Sequence, residues 1–263
     1  MNKLSVVTPT YNRKNKIVSS INSSLKFIKE GIFYELIVVD DASQDGTYEF
    51  LNNEYSNEVS LGMIKIIRLD ENLGVTGAKN VGVKHSEGDY IIFMDSDDAF
   101  TKNAGKDIQS TIEENPNHFI YFFRCVDSYT KDLIGGELKK RSFDLKFLIN
   151  GGVPGECLPV LRKKEISEFS YPTKLRGCES LAYYKILHSY KSSGFLSDLV
   201  CRMYDSEGDD RLCAPLAIRK RSLKMILFNF QLLRYVHFMN FKSFWGVSLR
   251  LAYYAVSFLR SKV

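Results

Sequence analysis

The chain has no pair of cysteines spaced as CxxC, and its five cysteines, Cys125, Cys157, Cys178, Cys201 and Cys213, are an odd number scattered from residue 125 onward. That distribution argues against both a disulfide framework and a zinc site, so reduced and mostly buried thiols are expected. His85, His118, His188 and His237 show no ligand spacing, which argues against a histidine-built metal centre. Met1-Asn2-Lys3 runs directly into Leu4-Ser5-Val6-Val7, with no long apolar stretch and no small-residue cleavage site. Nothing there reads as a secretory signal, and a cytoplasmic location is expected. Internal repeats, low-complexity tracts and Pro/Ser-rich linkers are lacking too, so 263 residues at 44% hydrophobic content fit one globular domain with an appendage.

Acidic residues are missing from the end of the chain. From Arg211 to Val263 there are ten Lys and Arg but no Asp or Glu, which leaves 26 of the 36 basic residues against all 31 acidic ones in the rest. A mildly acidic body therefore carries a basic tail. This split argues against nucleic acid as the partner of the main domain and suggests an anionic surface near the C-terminus.

What is present in the first hundred residues is an alternation of apolar runs and helical patterns. Leu4–Val7, Leu36–Val39, Met63–Ile67 and Tyr90–Met94 are rich in β-branched residues and of strand length, the pattern of parallel strands buried on both faces. Between the first two, Ile17, Ile21, Leu25 and Ile28 recur at helical spacing; Tyr48–Tyr55 and Val75–Lys84 supply two further helices, with Asp45 placed to cap the first of these. Strand and helix in strict alternation predict an α/β fold with a doubly wound, mainly parallel sheet flanked by helices. Ligands in such sheets bind beyond the carboxyl ends of the strands.

Acids crowd those ends. Asp40-Asp41 follows the second strand, and Asp95-Ser96-Asp97-Asp98 follows the fourth. Neighbouring carboxylate clusters repel unless something positive lies between them, and a hard divalent cation with bound phosphate oxygens supplies that charge. Taken alone, an Asp-x-Asp is more often a solvated turn.

The surrounding residues resemble the family 2 glycosyltransferases, which have the GT-A fold. The likeness runs over Ser5-Val6-Val7-Thr8-Pro9-Thr10-Tyr11-Asn12-Arg13, then Ile37-Val38-Val39-Asp40-Asp41-Ala42-Ser43-Gln44-Asp45-Gly46-Thr47. It continues through Asn72-Leu73-Gly74, Ala78-Lys79-Asn80-Val81-Gly82, and Gly88-Asp89-Tyr90 to Asp98, and thins beyond residue 100. The resemblance implies a sugar transferred from a nucleotide-diphosphate donor to an acceptor hydroxyl, with Mn²⁺ or Mg²⁺ as cofactor. It places Thr8, Pro9 and Tyr11 around the base, and Asp41 as acceptor of a base N–H, with a UDP-sugar favoured. It sets Asn72, Gly74, Ala78 and Asn80 beside the diphosphate, Asp95 with Ser96 near the ribose, and Asp97 on the metal. The family's general base falls at the start of a helix beyond the acid cluster, where Glu179 stands in Arg176-Gly177-Cys178-Glu179-Ser180-Leu181. Many members read Glu-Asp at that point and this chain reads Glu-Ser; a Glu at a helix N-terminus can also serve the helix dipole alone. A base opposite the leaving group implies inversion at the anomeric carbon.

Arg202-Met203-Tyr204-Asp205 through Arg211 is similar to the segment that closes over the diphosphate in related enzymes. Asp205 stands where many relatives carry His, as a metal ligand or as an exposed acid. Arg202 and Arg211 are candidates for the phosphates or for surface pairs with Asp209 and Asp210. Gly151–Cys157 lacks a phosphate-loop Lys and reads as an acceptor-side loop. The domain reading is 1–215 for the transferase, with 1–100 its nucleotide-sugar half and 101–215 its acceptor half, and 216–263 for a basic, aromatic, helical tail. Arg234, Lys242 and Arg250 interrupt the tail's apolar runs before a spanning length is reached. Residues 222–263 therefore fit an in-plane helix on an anionic membrane surface, peripheral on the inner face of the cell membrane. The alternative is a tail packed on the domain or on a second subunit. The acceptor is expected to be a glycan or a polyprenyl-linked glycan of bacterial surface polysaccharide. The other functional readings are a non-catalytic nucleotide-sugar-binding or scaffolding subunit, and a nucleotidyltransferase, whose Gly-rich basic loop Thr8-Pro9-Thr10-Tyr11 lacks.

Overall fold

Leu4–Thr10 (β1) and Glu35–Asp40 (β2) are buried at every position, which only a strand covered on both faces achieves. The computed structural model describes residues 2–138, 140–175, 177–206, 222–236 and 241–260. In chain order the first half continues from β1 through α1 (Ile17–Lys29) and β2 to α2 (Thr47–Glu54), α3 (Ser56–Ser60), β3 (Ile64–Arg68), α4 (Gly74–His85), β4 (Tyr90–Phe93), β5 (Ala99–Phe100) and α5 (Ala104–Glu114). The second half adds β6 (Ile120–Asp127), β7 (Ser142–Phe143), α6 (Leu145–Ile149), β8 (Cys157–Arg162), α7 (Lys163–Glu168), α8 (Ser180–Ser189) and β9 (Gly194–Tyr204). Two helices follow, α9 (Ser222–Val236) and α10 (Phe241–Arg260).

The strands form one sheet in the order β3-β2-β1-β4-β8-β6-β9-β5, with β7 on β9. β3, β2, β1 and β4 are parallel, as the apolar runs predict. From there the sheet is mixed: β8 runs antiparallel to both β4 and β6, whereas β6 and β9 are parallel. The mainly parallel character thus belongs to the first half. Alternation along each strand feeds two cores. Val6, Leu36 and Val38 join Ile17, Ile21 and Leu25 of α1 on one face. Val7, Ile37 and Val39 join Ala78 of α4 and Leu181 and Ile186 of α8 on the other. The chain reverses its direction of winding between β1 and β4, and a crevice opens beyond their carboxyl ends.

Asp45 accepts a hydrogen bond from the Thr47 backbone N–H at 3.0 Å, from one position before the cap, which Gly46 occupies at φ 79°. Cys125, Cys178 and Cys201 are buried free thiols and Cys157 is half-buried; Cys213 lies outside the described residues. Among the described residues no helix is long and apolar enough to cross a membrane. α9 packs on α8 through Tyr184 against Phe228 and His188 against Tyr235, and Leu232, Val236 and Val247 enter the core. The outward faces of both helices remain apolar, as considered below.

The helix that brings a key cation to the crevice is held close by a glycine. A Cβ at Gly82 of α4 would lie 2.3 Å from Val7 Cγ1, inside β1, where the side chain cannot yield. We expect Gly82→Ala to destabilise the protein by about 1–3 kcal/mol in urea unfolding through overpacking, despite the better helix propensity of Ala. An unchanged midpoint would show that α4 can part from β1 without cost.

Candidate active site

The crevice is a cleft of about 650 Å³ whose lining comes from three strand ends on one side and from later elements on the other. Pro9, Thr10, Tyr11 and Arg13 come from the end of β1 and its turn, Asp41 follows β2, and Asp95, Ser96 and Asp97 follow β4. Glu156, Glu179, Tyr183, Arg202, Tyr204 and Asp205 face them.

Asp41 is fixed before any ligand arrives. Its backbone N–H donates to Thr10 O at 2.8 Å and its Oδ1 accepts from Leu73 N–H at 2.7 Å. Asn72 ties the same corner: its Nδ2 donates to Asp41 O at 3.2 Å and its Oδ1 accepts from Gly74 N–H. Asp40 instead shapes its own turn, accepting from Ser43 N–H, and burial raises its pKa. Asn12 holds φ 53° and locks the β1 turn onto the β2 turn, donating its N–H to Ser43 Oγ and accepting from Gln44 N–H.

The strongest electrostatics centre on Lys79, in α4 and buried. Its Nζ lies 3.1 Å from Asp95 Oδ1 and 4.0 Å from Glu179 Oε1. Burial works against its charge, yet Asp95 and Glu179 outweigh that and lift its pKa above the ordinary lysine value. Burial likewise opposes ionisation of Asp95, and Lys79 with Arg202 more than offsets it, holding the carboxyl below its usual range. Arg202 is buried between Asp98, at 3.4 Å, and Asp95, at 3.9 Å, and its Nε donates to Cys125 Sγ at 3.1 Å. Asp98 is buried: desolvation pushes it up to about 7 against the pull of Arg202, and its Oδ1 accepts from Asp205 N–H at 2.9 Å. Asp97 is raised by burial and by Asp95, with Arg13 opposing. Glu156 is raised by its crowded surroundings, with Arg202 opposing.

Glu179 occupies the N-cap position of α8 but makes no side-chain cap hydrogen bond; its carboxyl turns into the cleft. Of the remaining predicted residues, Pro9, Tyr11, Asp41, Asp95, Ser96, Asp97, Arg202 and Asp205 line the cleft, whereas Thr8, Asn72, Gly74, Ala78 and Asn80 stand behind it. Thr8 and Ala78 are fully buried. Asn80 spends its amide on the Tyr171 backbone, donating to its O and accepting from its N–H at 2.9 Å each. Gly74 opens α4 at φ 75°. Arg211, Asp209 and Asp210 lie outside the described residues. Arg13, Lys79 and Tyr183 were missed as site residues. The signal for the first two was arithmetic, since acids gathered at strand ends require cations, and Arg13 and Lys79 sit inside the motif blocks themselves.

For a metal, Asp97 and Asp205 offer hard oxygen donors from facing walls of the cleft, near enough for the Asp205 charge to be felt at Asp97. Among the described residues no three or more His, Cys, Asp or Glu converge as a ready-made cage. The donor set fits a cation held by one or two carboxylates and completed by phosphate oxygens and water.

Residues 5–159, more than half of the chain, match the family model Glycosyl transferase family 2. The chain belongs to glycosyl transferase family 2. The GT-A fold is shared with crystal structures of this class: Staphylococcus aureus TarS in complex with UDP-GlcNAc superposes at TM-score 0.68 and 22% identity, over 97% of this chain and 72% of that one. The mannosyltransferase PcManGT from Pyrobaculum calidifontis, in complex with GDP-Man and Mn²⁺, superposes at 0.63 and 16% identity, over 97% and 75%. In sequence, the poly(ribitol-phosphate) beta-N-acetylglucosaminyltransferase TarS of S. aureus is 37% identical over 44% of this chain but only 20% of its own length. The UDP-Glc:alpha-D-GlcNAc-diphosphoundecaprenol beta-1,3-glucosyltransferase WfgD of Escherichia coli is 30% identical over 64% of each chain. This family 2 chain thus spans between a fifth and a half of the length of the first curated relatives it matches.

Asp98 gives the family 2 site a pH signature. A carboxyl at about 7 in the native state and 3.8 when exposed leaves the native protein holding more protons in between, so stability falls as pH rises through that window. One such group lowers unfolding free energy by about 1.4 kcal/mol between pH 6 and 8. We expect Asp98→Asn to abolish that component when urea unfolding is compared at the two pH values; superimposable pH profiles for the two proteins would rule it out.

Proposed function

We propose that the chain is an inverting glycosyltransferase that moves a sugar from a nucleotide-diphosphate donor, a UDP-sugar by preference, to a hydroxyl of a glycan or lipid-linked glycan in bacterial surface polysaccharide synthesis. The observation that carries this reading is the shared cation: Lys79 touches Asp95 of the strand-end acids and reaches Glu179 across the cleft. A candidate base within one ion-pair network of the donor acids favours an enzyme over a scaffolding subunit, for which binding alone would suffice.

In the reaction proposed, the acceptor oxygen bonds to the anomeric carbon as the carbon–oxygen bond to the diphosphate breaks, and the hydroxyl proton passes to the Glu179 carboxylate. The nucleoside diphosphate leaves with the electron pair. Asp41, Pro9 and Tyr11 hold the base, with Asp41 accepting from a ring N–H; Asp95 and Ser96 take the ribose; Lys79 and Arg202 counter the charge of the leaving group. Mn²⁺ or Mg²⁺, held by Asp97 with Asp205, would act as Lewis acid on the diphosphate oxygens. Support for the donor comes from the UDP-GlcNAc named with TarS, and for the metal from the Mn²⁺ named with PcManGT. A base of this kind contributes about 10² to 10⁴ in rate, so Glu179→Gln should lower kcat by that order while the donor Kd, measured on the same preparation, stays within about twofold. Full turnover by the Gln variant would exclude Glu179 and leave Glu156 as the next carboxylate in the cleft.

We further propose that the tail rests on an anionic membrane surface, where a polyprenyl-linked acceptor is found; the diphosphoundecaprenol in the name of the WfgD relative supports that choice. Leu223, Leu227 and Phe230 of α9 and Phe244, Trp245, Leu249, Tyr253 and Val256 of α10 are exposed, while Val247 and Ser257 turn inward. Lys224, Arg234 and Arg250 stand exposed among them. Because Leu232, Val236 and Val247 belong to the core, point substitutions test this better than truncation. The double variant Trp245→Glu, Leu249→Glu should keep its melting temperature and lose co-sedimentation with vesicles containing anionic lipid. Undiminished binding would set the membrane reading aside.

A further inference from the structure

Two cations on one turn cover two of the cleft's carboxylates. Arg13 Nη1 lies 3.2 Å from Asp97 Oδ2, both side chains a fifth to a quarter exposed, and Lys16 Nζ lies 3.3 Å from Asp205 Oδ2. Asp97 follows β4 and Asp205 follows β9, so the turn after β1 bridges strand ends far apart in sequence. Its backbone does not move readily. Besides the Asn12 contacts, Arg13 N–H donates to Thr47 Oγ1 and Lys14 N–H to Asp45 Oδ2, each at 3.3 Å. The long side chains can swing while their Cα atoms stay fixed.

We infer that Arg13 is both a stand-in cation for Asp97 and a binding residue for the donor's diphosphate, so that metal and nucleotide each bind more tightly in the presence of the other. This rests on the metal-assisted reading above. A divalent ion approaching Asp97 alone must displace the guanidinium from Oδ2 and leave it, still partly shielded from water, beside a second positive charge. A nucleoside diphosphate removes that penalty, since its oxygens accept the fork of N–H donors that Arg13 withdraws from the carboxylate. Nucleotide therefore raises metal affinity, and linkage requires metal to raise nucleotide affinity by the same factor. Lys16, more exposed, repeats the device at Asp205 with a smaller effect.

The test is a calorimetric titration of Mn²⁺ into wild type, Arg13→Gln and Arg13→Lys, each with and without UDP, on preparations whose melting curves show a folded protein. Removal of a partly buried ion pair should tighten Mn²⁺ binding to the nucleotide-free Arg13→Gln protein by about five- to tenfold. In the same variant UDP should bind about tenfold more weakly at saturating Mn²⁺, and the gain in Mn²⁺ affinity caused by UDP should shrink. Arg13→Lys, which keeps the charge, should stay close to wild type in the nucleotide-free titration. Nucleotide-free Mn²⁺ binding in Arg13→Gln that is equal to or weaker than wild type, while wild type binds Mn²⁺ with UDP, overturns the role of Arg13 and leaves the metal-assisted transfer standing. A wild type that takes up no Mn²⁺ even with UDP removes the metal reading, and this inference with it.

Discussion

Lys79 holds a positive charge in a place almost closed to water, and the cleft is organised around keeping that charge satisfied. A buried ammonium without partners is far costlier than any single packing contact can offset. Lys79 is tolerated because Asp95 lies 3.1 Å away and Glu179 4.0 Å away, and because α4, which carries it, is pressed on β1 at Gly82. The dependence runs the other way as well. Asp95 remains ionised in its confined position through Lys79 and Arg202 together, and Arg202 in turn anchors Asp98. Removing any member weakens the compensation of its neighbours, so Asp95, Asp98, Glu179, Lys79 and Arg202 are electrostatically coupled.

The acids of this cleft were legible in the sequence, as was Arg202, whereas Lys79 and Arg13 were not, for a physical reason. Carboxylates concentrated just after apolar runs violate the expectation that like charges separate, and this makes Asp41, Asp95 and Asp97 conspicuous. Lys79 lies in a helical segment, where a lysine ordinarily reads as a solvated surface residue; only the packing of α4 against β1 and β2 shows that it points inward. Arg13 hides in a turn for the same reason. Asn80 fails in the opposite sense. It belongs to the motif block, yet its amide holds the backbone of Tyr171, a residue 91 positions away whose location no local pattern announces.

The fold divides along the same line. β1, β2 and β4 could be read because each is an apolar run buried on both faces. The strands of the second half carry no such mark. β6 contains Arg124, β8 contains Pro159, and β9 is exposed at Asp198 and Leu199 between buried stretches. Their pairing is antiparallel across β8 and parallel between β6 and β9, set by partners distant in sequence. The tail shows the limit of reading composition. Its basic and aromatic character was visible, but which side would face the protein was not: Ser257 and Val247 turn inward, and aromatic residues face out.

The two walls of the cleft are built on different principles. On the donor side the lining residues are themselves the ends of core strands, so Asp41 and Asp95 cannot be exchanged without disturbing β2 or β4. On the other side, Val153, Gly155 and Glu156 belong to a loop held by Val153 against the core and by close backbone packing. Gly135 and Gly155, both at positive φ, approach so closely that a Cβ on Gly135 would strike Pro154 O. Arg124, buried beneath, donates from Nη2 to the carbonyls of Ile134 and Gly136. A wall fixed through carbonyls and glycines leaves the exposed side chain at 156 open to change without loss of its shape, whereas the opposite wall is tied to the core strands of the sheet.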